Sequence, residues 1–258
     1  MRLMKRILSA AAVLALSASL LVGCSSGTAS SVPVSASSAA ESTVSSVEET
    51  ASSAVDENEA AAAQLLNDLT GSYQELWPVI LADEYKQTWL DDCTALVGED
   101  NAEAAFEKLS SMVTGDVYGE DAVEAYANGG GAYFCGFTNS LATLTFDGET
   151  STISGTDKDG NVLFSHTYHY IGMEPVHGLY EFESDDADSG EFTYFFLAPD
   201  TSAETYHIEF RYGSDAEALS QYDAGEYAYW VASGISTDCD QTMIDNCIEL
   251  FCTENLAG

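Results

Sequence analysis

Between Glu191 and Gly213 the chain reads EFTYFFLAPDTSAETYHIEFRYG, two runs of alternating side chains broken by Pro199 and Asp200. Successive side chains on a strand point to opposite faces. Phe192, Tyr194 and Phe196 therefore define one strand. In the second run Tyr206, Ile208, Phe210 and Tyr212 share one face, while Thr205, His207, Glu209 and Arg211 share the other. One face is apolar and one is polar, and the polar face carries a histidine. A period of 2 dominates from Ala132 onward. Leu144 and Phe146 run into an Asp147-Gly148 turn, and Asp157-Lys158-Asp159-Gly160-Asn161 precedes a strand from Val162 to Ile171. Tyr180 with Phe182 and the aromatic run Tyr227 to Val231 supply further strands. Seven or eight short strands separated by turns predict an antiparallel barrel.

Before residue 132 the period is helical. Glu59 to Leu66 has high helix propensity, Gly71 interrupts it, and Tyr73, Leu76 and Trp77 resume an i, i+3, i+4 pattern as far as Pro78. Further helices are predicted over 83–96, 102–112 and 120–127, with Trp77 and Trp89 as core residues. The chain closes on another helix capped by Thr237 or Asp238, with Met243, Ile244, Cys247, Ile248 and Phe251 on one face. The fold class is thus α+β, mainly β, with helical segment 56–128, barrel 132–232 and C-terminal helix 237–254.

The first 55 residues read differently. Arg2, Lys5 and Arg6 form a positive n-region ahead of an apolar stretch from Ile7 to Val22. That stretch is shorter than a comfortable membrane span of about 20 residues. Leu21-Val22-Gly23-Cys24 then looks like a bacterial lipobox, predicting a signal peptide over 1–23 and acylation of Cys24. Residues 24–55 are rich in Ser and Ala, a composition with too little large apolar surface to order itself, and so read as a disordered stalk. The expected location is outside the cytoplasm, on a bacterial membrane, through a lipid anchor alone.

Seven basic residues stand against 43 acidic ones, a net charge of −36. Such a surface repels nucleic acid and anionic headgroups and draws in cations. No Gly-x-Ser-x-Gly elbow, phosphate loop or His-Glu-x-x-His is present, so the sequence offers no enzyme reading. The Asp157 to Asn161 segment opens like a calcium loop but has no glutamate at the twelfth position, which makes it a hairpin turn. Asp185, Asp186, Asp188 and Glu191 read as a solvated loop. Beyond Cys24 the five cysteines Cys93, Cys135, Cys239, Cys247 and Cys252 form no CxxC, and their odd number leaves at least one thiol unpaired.

The ordered series Leu69-Thr70-Gly71-Ser72-Tyr73-Gln74-Glu75-Leu76-Trp77-Pro78, Trp89, Tyr206-His207-Ile208-Glu209-Phe210 and Gly213-Ser214-Asp215-Ala216-Glu217-Ala218-Leu219, closed by the C-terminal helix, resembles the ZinT (YodA-like) family. The likeness runs from about Asn67 to Glu254. It implies a lipocalin-like, metal-binding domain of the bacterial envelope, of a kind found alone or fused to zinc-uptake solute-binding proteins. It also implies zinc held by three histidines, at positions matched here by Phe196, Thr205 and His207. Only His207 is a ligand type, and zinc in an open site needs three protein ligands. Candidate substitutes are His169, Glu204 and Glu209, giving a weaker site for zinc or another divalent cation. His166 and His177 read as structural or surface residues. Two functions follow: a cation binder serving a metal-uptake transporter, or a metal-free barrel that binds a small ligand or a partner protein through its aromatic residues.

Overall fold

The computed structural model describes residues 57–198 and 207–257. The leader, Cys24, the stalk and the segment holding Pro199, Asp200, Glu204, Thr205 and Tyr206 lie outside the described residues. Among the described residues, eight antiparallel strands close into a barrel in sequence order. They are β1 (Gly71–Glu75), β2 (Thr143–Asp147), β3 (Thr152–Thr156), β4 (Val162–Met173), β5 (Tyr180–Ser184), β6 (Tyr194–Leu197), β7 (His207–Gly213) and β8 (Ala232–Ser236). The helices are α1 (57–68), α2 (Leu76–Ile80), α3 (Lys86–Val97), α4 (Glu99–Val113), α5 (Glu120–Ala127), α6 (Ala216–Leu219) and α7 (Gln241–Leu256). The mainly β barrel with flanking helices matches the class expected from the sequence. Among the described residues, no helix is long and apolar enough to cross a membrane.

Four expectations need correction. Gly71–Glu75 is a strand, where the Tyr73-Leu76-Trp77 spacing predicted a helix. It pairs with β2 through Tyr73 and Leu144 and with β8 through Gln74 and Ile235, and so closes the barrel. Helix begins only at Leu76, which is why the i, i+3, i+4 pattern misled. Tyr227 to Val231 is not a strand. It forms turns and a single parallel bridge between Phe134 and Trp230, and the eighth strand lies just after it. Finally, the cap of α7 is Asp240, whose carboxylate accepts from the Met243 N–H. The Phe192 position also falls outside β6, in a short 3-10 turn over Gly190–Phe192.

Eight strands leave an interior just wide enough for side chains to fill. Tyr73, Phe146, Phe164, Tyr168, Phe182, Phe195, Phe210 and Tyr212 occupy it, each at most 5% exposed. Phe195 contacts Tyr168 edge-on at 5.4 Å and stacks on Tyr212 at 5.4 Å. The segment before β2 plugs one end: Phe137 meets Phe210 at 5.3 Å, and the Thr138 N–H donates to the Tyr212 hydroxyl at 2.6 Å. α1 adds Ala62, Leu65 and Leu66 to this cluster, and Leu69 follows just after it.

A second core lies outside the barrel wall. Ile235 of β8 packs there with Leu76, Trp77 and Ile80 of α2, Trp89 and Cys93 of α3, Leu109 of α4, and Ile248 and Phe251 of α7. Trp89 donates its indole N–H to the Ile80 carbonyl at 2.7 Å, and its ring meets Phe251 at 5.9 Å. The β7–β8–β1 wall is therefore covered on both sides. Every residue of β7 after His207 is buried, including the polar Glu209 and Arg211.

Tight filling makes small additions costly. A Cβ at Gly155 would stand 2.4 Å from both Leu141 Cδ1 and Phe164 Cε1. Gly155→Ala is expected to lower stability by roughly 1–3 kcal/mol. Urea unfolding should show a reduced midpoint with an unchanged slope; an unchanged midpoint would mean that the interior is looser than described.

Candidate functional site

His207 lies opposite Ile235, which belongs to the outer core, so its face looks away from the barrel interior. Glu209, two residues on, lies opposite Ser233 on the same face. α2 and α7 lean over this wall. Between them a cleft is lined by His207 and Glu209 of β7, Trp77 and Ile80 of α2, and Cys247, Phe251 and Glu254 of α7. Its free space is about 20 Å3, room for a single water or ion and too small for an organic molecule. Cys247 is buried in this wall and its thiol is pushed up to about 12, first by burial and then by Cys239. Cys135, below the cleft, is also raised, by burial first and then by the field of Glu209. Both sulfurs are thus protonated at neutral pH and are poor metal ligands in that state.

Of the residues matched to the three family histidines, the structure describes Phe196 and His207, and these two are apart. Phe196 lies opposite Arg211, four residues along β7 from His207, a displacement of ~13 Å. Phe196 is fully buried and offers no donor. Thr205, like the substitute Glu204, lies outside the described residues. His169 is not brought to His207. The register His169–Glu183–Tyr194–Gly213 puts it three strands away and six residues along, on the order of 20 Å. Its Nδ1 instead meets Asp185 at 2.7 Å, both side chains half exposed. His166 meets Asp186 at 2.8 Å, so the acidic loop after β5 engages two histidines and is not simply solvated. Asp157 accepts from the N–H groups of Asp159 and Asn161, as a hairpin turn requires. Among the described residues, no three His, Cys, Asp or Glu side chains converge as a metal site. No tetrahedral three-imidazole arrangement is therefore formed among the described residues. His207 and Glu209 are the sequence candidates that share one cleft, and Glu254, added by α7, was not found from the sequence.

A second concavity, about 570 Å3, opens on the outer surface beside β8. Tyr133, His177, Gln221, Tyr222, Asp223 and Tyr229 line it. Its wall is pinned from below by Arg211, which is fully buried and donates to the carbonyls of Leu219, Gln221 and Tyr227. The guanidinium sits 4.2 Å from the Tyr222 ring centre, whose ring also meets His177 at 3.7 Å. Burial pulls Arg211 below its ordinary value, yet a guanidinium stays charged in proteins. Glu174, also fully buried, supplies the opposing charge. Burial alone would raise its pKa. Donation from the His177 ring and from the N–H groups of His177 and Val176 outweighs this and holds the carboxyl below 4.5. Tyr229 has a φ of +57°, sparsely populated for a bulky residue. Stacking on Tyr126 at 3.8 Å and backbone bonds to Tyr222 and Phe134 hold it there.

Comparison with known proteins gave structural likenesses only. No family model matches the chain, and no curated protein matches it. Among solved structures, the Zn(II)-bound ZinT-like domain of AdcA from Streptococcus pneumoniae is similar at 15% identity and a TM-score of 0.45, over 71% of this chain and 89% of that one. Zn(II)-bound AdcA from the same organism is similar at 14% identity and a TM-score of 0.43, over 72% of this chain and 35% of that one. The present chain thus spans about a third of the whole AdcA molecule.

Removing the buried cation should unfasten the second wall. Arg211→Met leaves three buried carbonyl acceptors without their charged donor and removes the positive field acting on Glu174, and is expected to cost ~3–5 kcal/mol in urea unfolding. The carboxyl of Glu174 is depressed in the folded state, so its contribution is full above about pH 4.5 and is lost as pH falls through the folded value. Glu174→Gln should flatten stability against pH in that acidic window. A wild-type acid limb unchanged by the substitution would remove Glu174 from this role.

Proposed function

We propose that this chain is an exported lipoprotein, held by lipid on Cys24, whose ZinT-like barrel domain carries a divalent cation as cargo at the seam between β7 and α7. Zinc is the first candidate, and a metal-uptake transporter is the partner that would receive it. The observation that carries the reading is the pair His207 and Glu209 on one face of β7 beside an ion-sized cleft that Glu254 also lines; the three do not converge as a ligand set in this structure, so binding would have to draw them together. The leader with its Leu21-Val22-Gly23-Cys24 segment supports the location, and the net charge of −36 supports local enrichment of cations. The ordered resemblance from Asn67 to Glu254 supports the family.

The chemistry differs from that of a three-histidine site. One imidazole with carboxylates is a harder, more oxygen-rich donor set, which weakens zinc and narrows its advantage over manganese. Coordination needs neutral imidazole, so cargo is released as pH falls.

Isothermal titration of zinc into the full chain should give heat that His207→Ala abolishes and Glu209→Gln weakens. Heat that survives His207→Ala would place the metal elsewhere and end this reading. In a bacterial host, radiolabelled fatty acid should enter the wild-type chain and not Cys24→Ala; equal labelling would end the anchored one.

A second reading rests on the 570 Å3 concavity, whose volume suits a small organic ligand. It differs from the sequence expectation in place. The barrel interior is filled with rings, so a ligand would sit outside the wall, against Tyr133, Tyr222 and Tyr229. An absence of zinc heat in the wild-type chain would favour this reading over the first.

A further inference from the structure

The sequence leaves the pairing of five cysteines open, and the fold brings two of them together. Cys93 lies on the inner face of α3 and Cys252 in the last turns of α7, 159 residues later. Both are fully buried, and their Sγ atoms stand 3.9 Å apart. We infer that Cys93 and Cys252 form a disulfide that ties the C-terminal helix to the helical layer in the exported protein. This rests on the extracytoplasmic reading above, because disulfides persist in oxidising compartments.

The surroundings fit a covalent tie. Trp89, one turn before Cys93, packs on Phe251, the neighbour of Cys252, so the two helices are already aligned at this level. A disulfide needs sulfurs about 2.05 Å apart, so the bond requires the two thiol side chains to turn toward each other from their 3.9 Å separation. The same seam is electrostatically unfavourable. Asp92 is driven up first by burial and then by Glu249, Asp245 and Asp91, so acidic groups of α3 and α7 face one another. With a net charge of −36, the terminal helix is pushed away from the body it caps, and a covalent link opposes that push. The closed loop is long, which is where a cross-link restricts the unfolded chain most.

The bond forms by thiol–disulfide exchange with an external disulfide, a low-molecular-weight RSSR or the disulfide of an oxidase. One cysteine thiolate attacks an RSSR sulfur, the S–S bond of RSSR breaks, one half leaves as RS⁻, and a mixed disulfide results. The second thiolate attacks the protein sulfur of that mixed disulfide and expels the other RS⁻. Two cysteine thiols lose two electrons, RSSR gains them, and the two protons end on two RSH molecules. Burial holds both thiols in the protonated form in the folded domain, and burial is the largest influence on each. Exchange therefore belongs to folding, before α3 and α7 close, and the finished bond is shielded from reductants.

The test is to export the full chain from a bacterial host, block free thiols with iodoacetamide under denaturing conditions without reductant, and map the peptides by mass spectrometry. A linked pair of peptides carrying Cys93 and Cys252, lighter by two hydrogens, is expected. Carbamidomethyl groups on both cysteines, or either one joined to Cys135, Cys239 or Cys247, would overturn the pairing. The same mapping after refolding the full chain in a glutathione buffer separates geometry from location. A link made in the buffer but absent from exported protein upholds the pairing and overturns the compartment; a link absent from both overturns the pairing. Oxidised protein should melt roughly 5–10 °C above reduced protein, and Cys252→Ser should erase that difference. A difference that persists in Cys252→Ser would also overturn the inference.

Discussion

Closure of the barrel depends on five residues. β1 hydrogen-bonds to β2 on one side and β8 on the other, and without it the remaining seven strands would be an open sheet with two unpaired edges. The same five residues lead directly into α2, so closing the sheet also delivers Leu76, Trp77 and Ile80 to the outer wall. Both cores are thus assembled by a single stretch of chain. The ion-sized cleft is a product of this arrangement, because its α2 side is fixed by the end of β1 and its floor by β7.

Burial on both sides of β7 gives its polar residues a different meaning from the one alternation suggests. An alternating strand ordinarily offers one face to the core and one to water. Here the polar face is roofed by helices at His207 and Glu209 and by the loop after α6 at Arg211. Arg211 is one of seven basic residues in the chain, and the fold spends it in the interior, where three carbonyls accept from it and the charge of Glu174 acts on it through the field. Polar groups under such a roof are held in fixed positions.

Much of this was legible in the residues. The alternation of Ile208, Phe210 and Tyr212 correctly identifies the inward face of β7, and the Asp-containing turns correctly mark hairpins. Helix periodicity locates α3, α4, α5 and α7 to within a few residues. β1 was not legible, since Gly-Ser-Tyr-Gln-Glu carries only one buried side chain, Tyr73, and runs without a break into a helix with matching spacing. The aromatic run around Trp230 misled for a different reason: these rings plug and brace the barrel end instead of lining a strand, with the Trp230 indole N–H donating to the Gly136 carbonyl at 2.9 Å. Of the candidate site, His207 and Glu209 could be joined by counting along one strand. Glu254 and the separation of His169 and Phe196 from His207 depend on helix docking and on strand register across the barrel, which no local pattern carries.

The placement of the three indoles gives each core its own reporter. Trp77 and Trp89 belong to the layer between wall and helices, whereas Trp230 belongs to the barrel cluster. Their emission is consequently partitioned by compartment, so chains retaining a single indole distinguish detachment of the helical coat from rupture of the cylinder beneath it. Whether the molecule melts as one cooperative unit or sheds its coat first is therefore written into its intrinsic fluorescence.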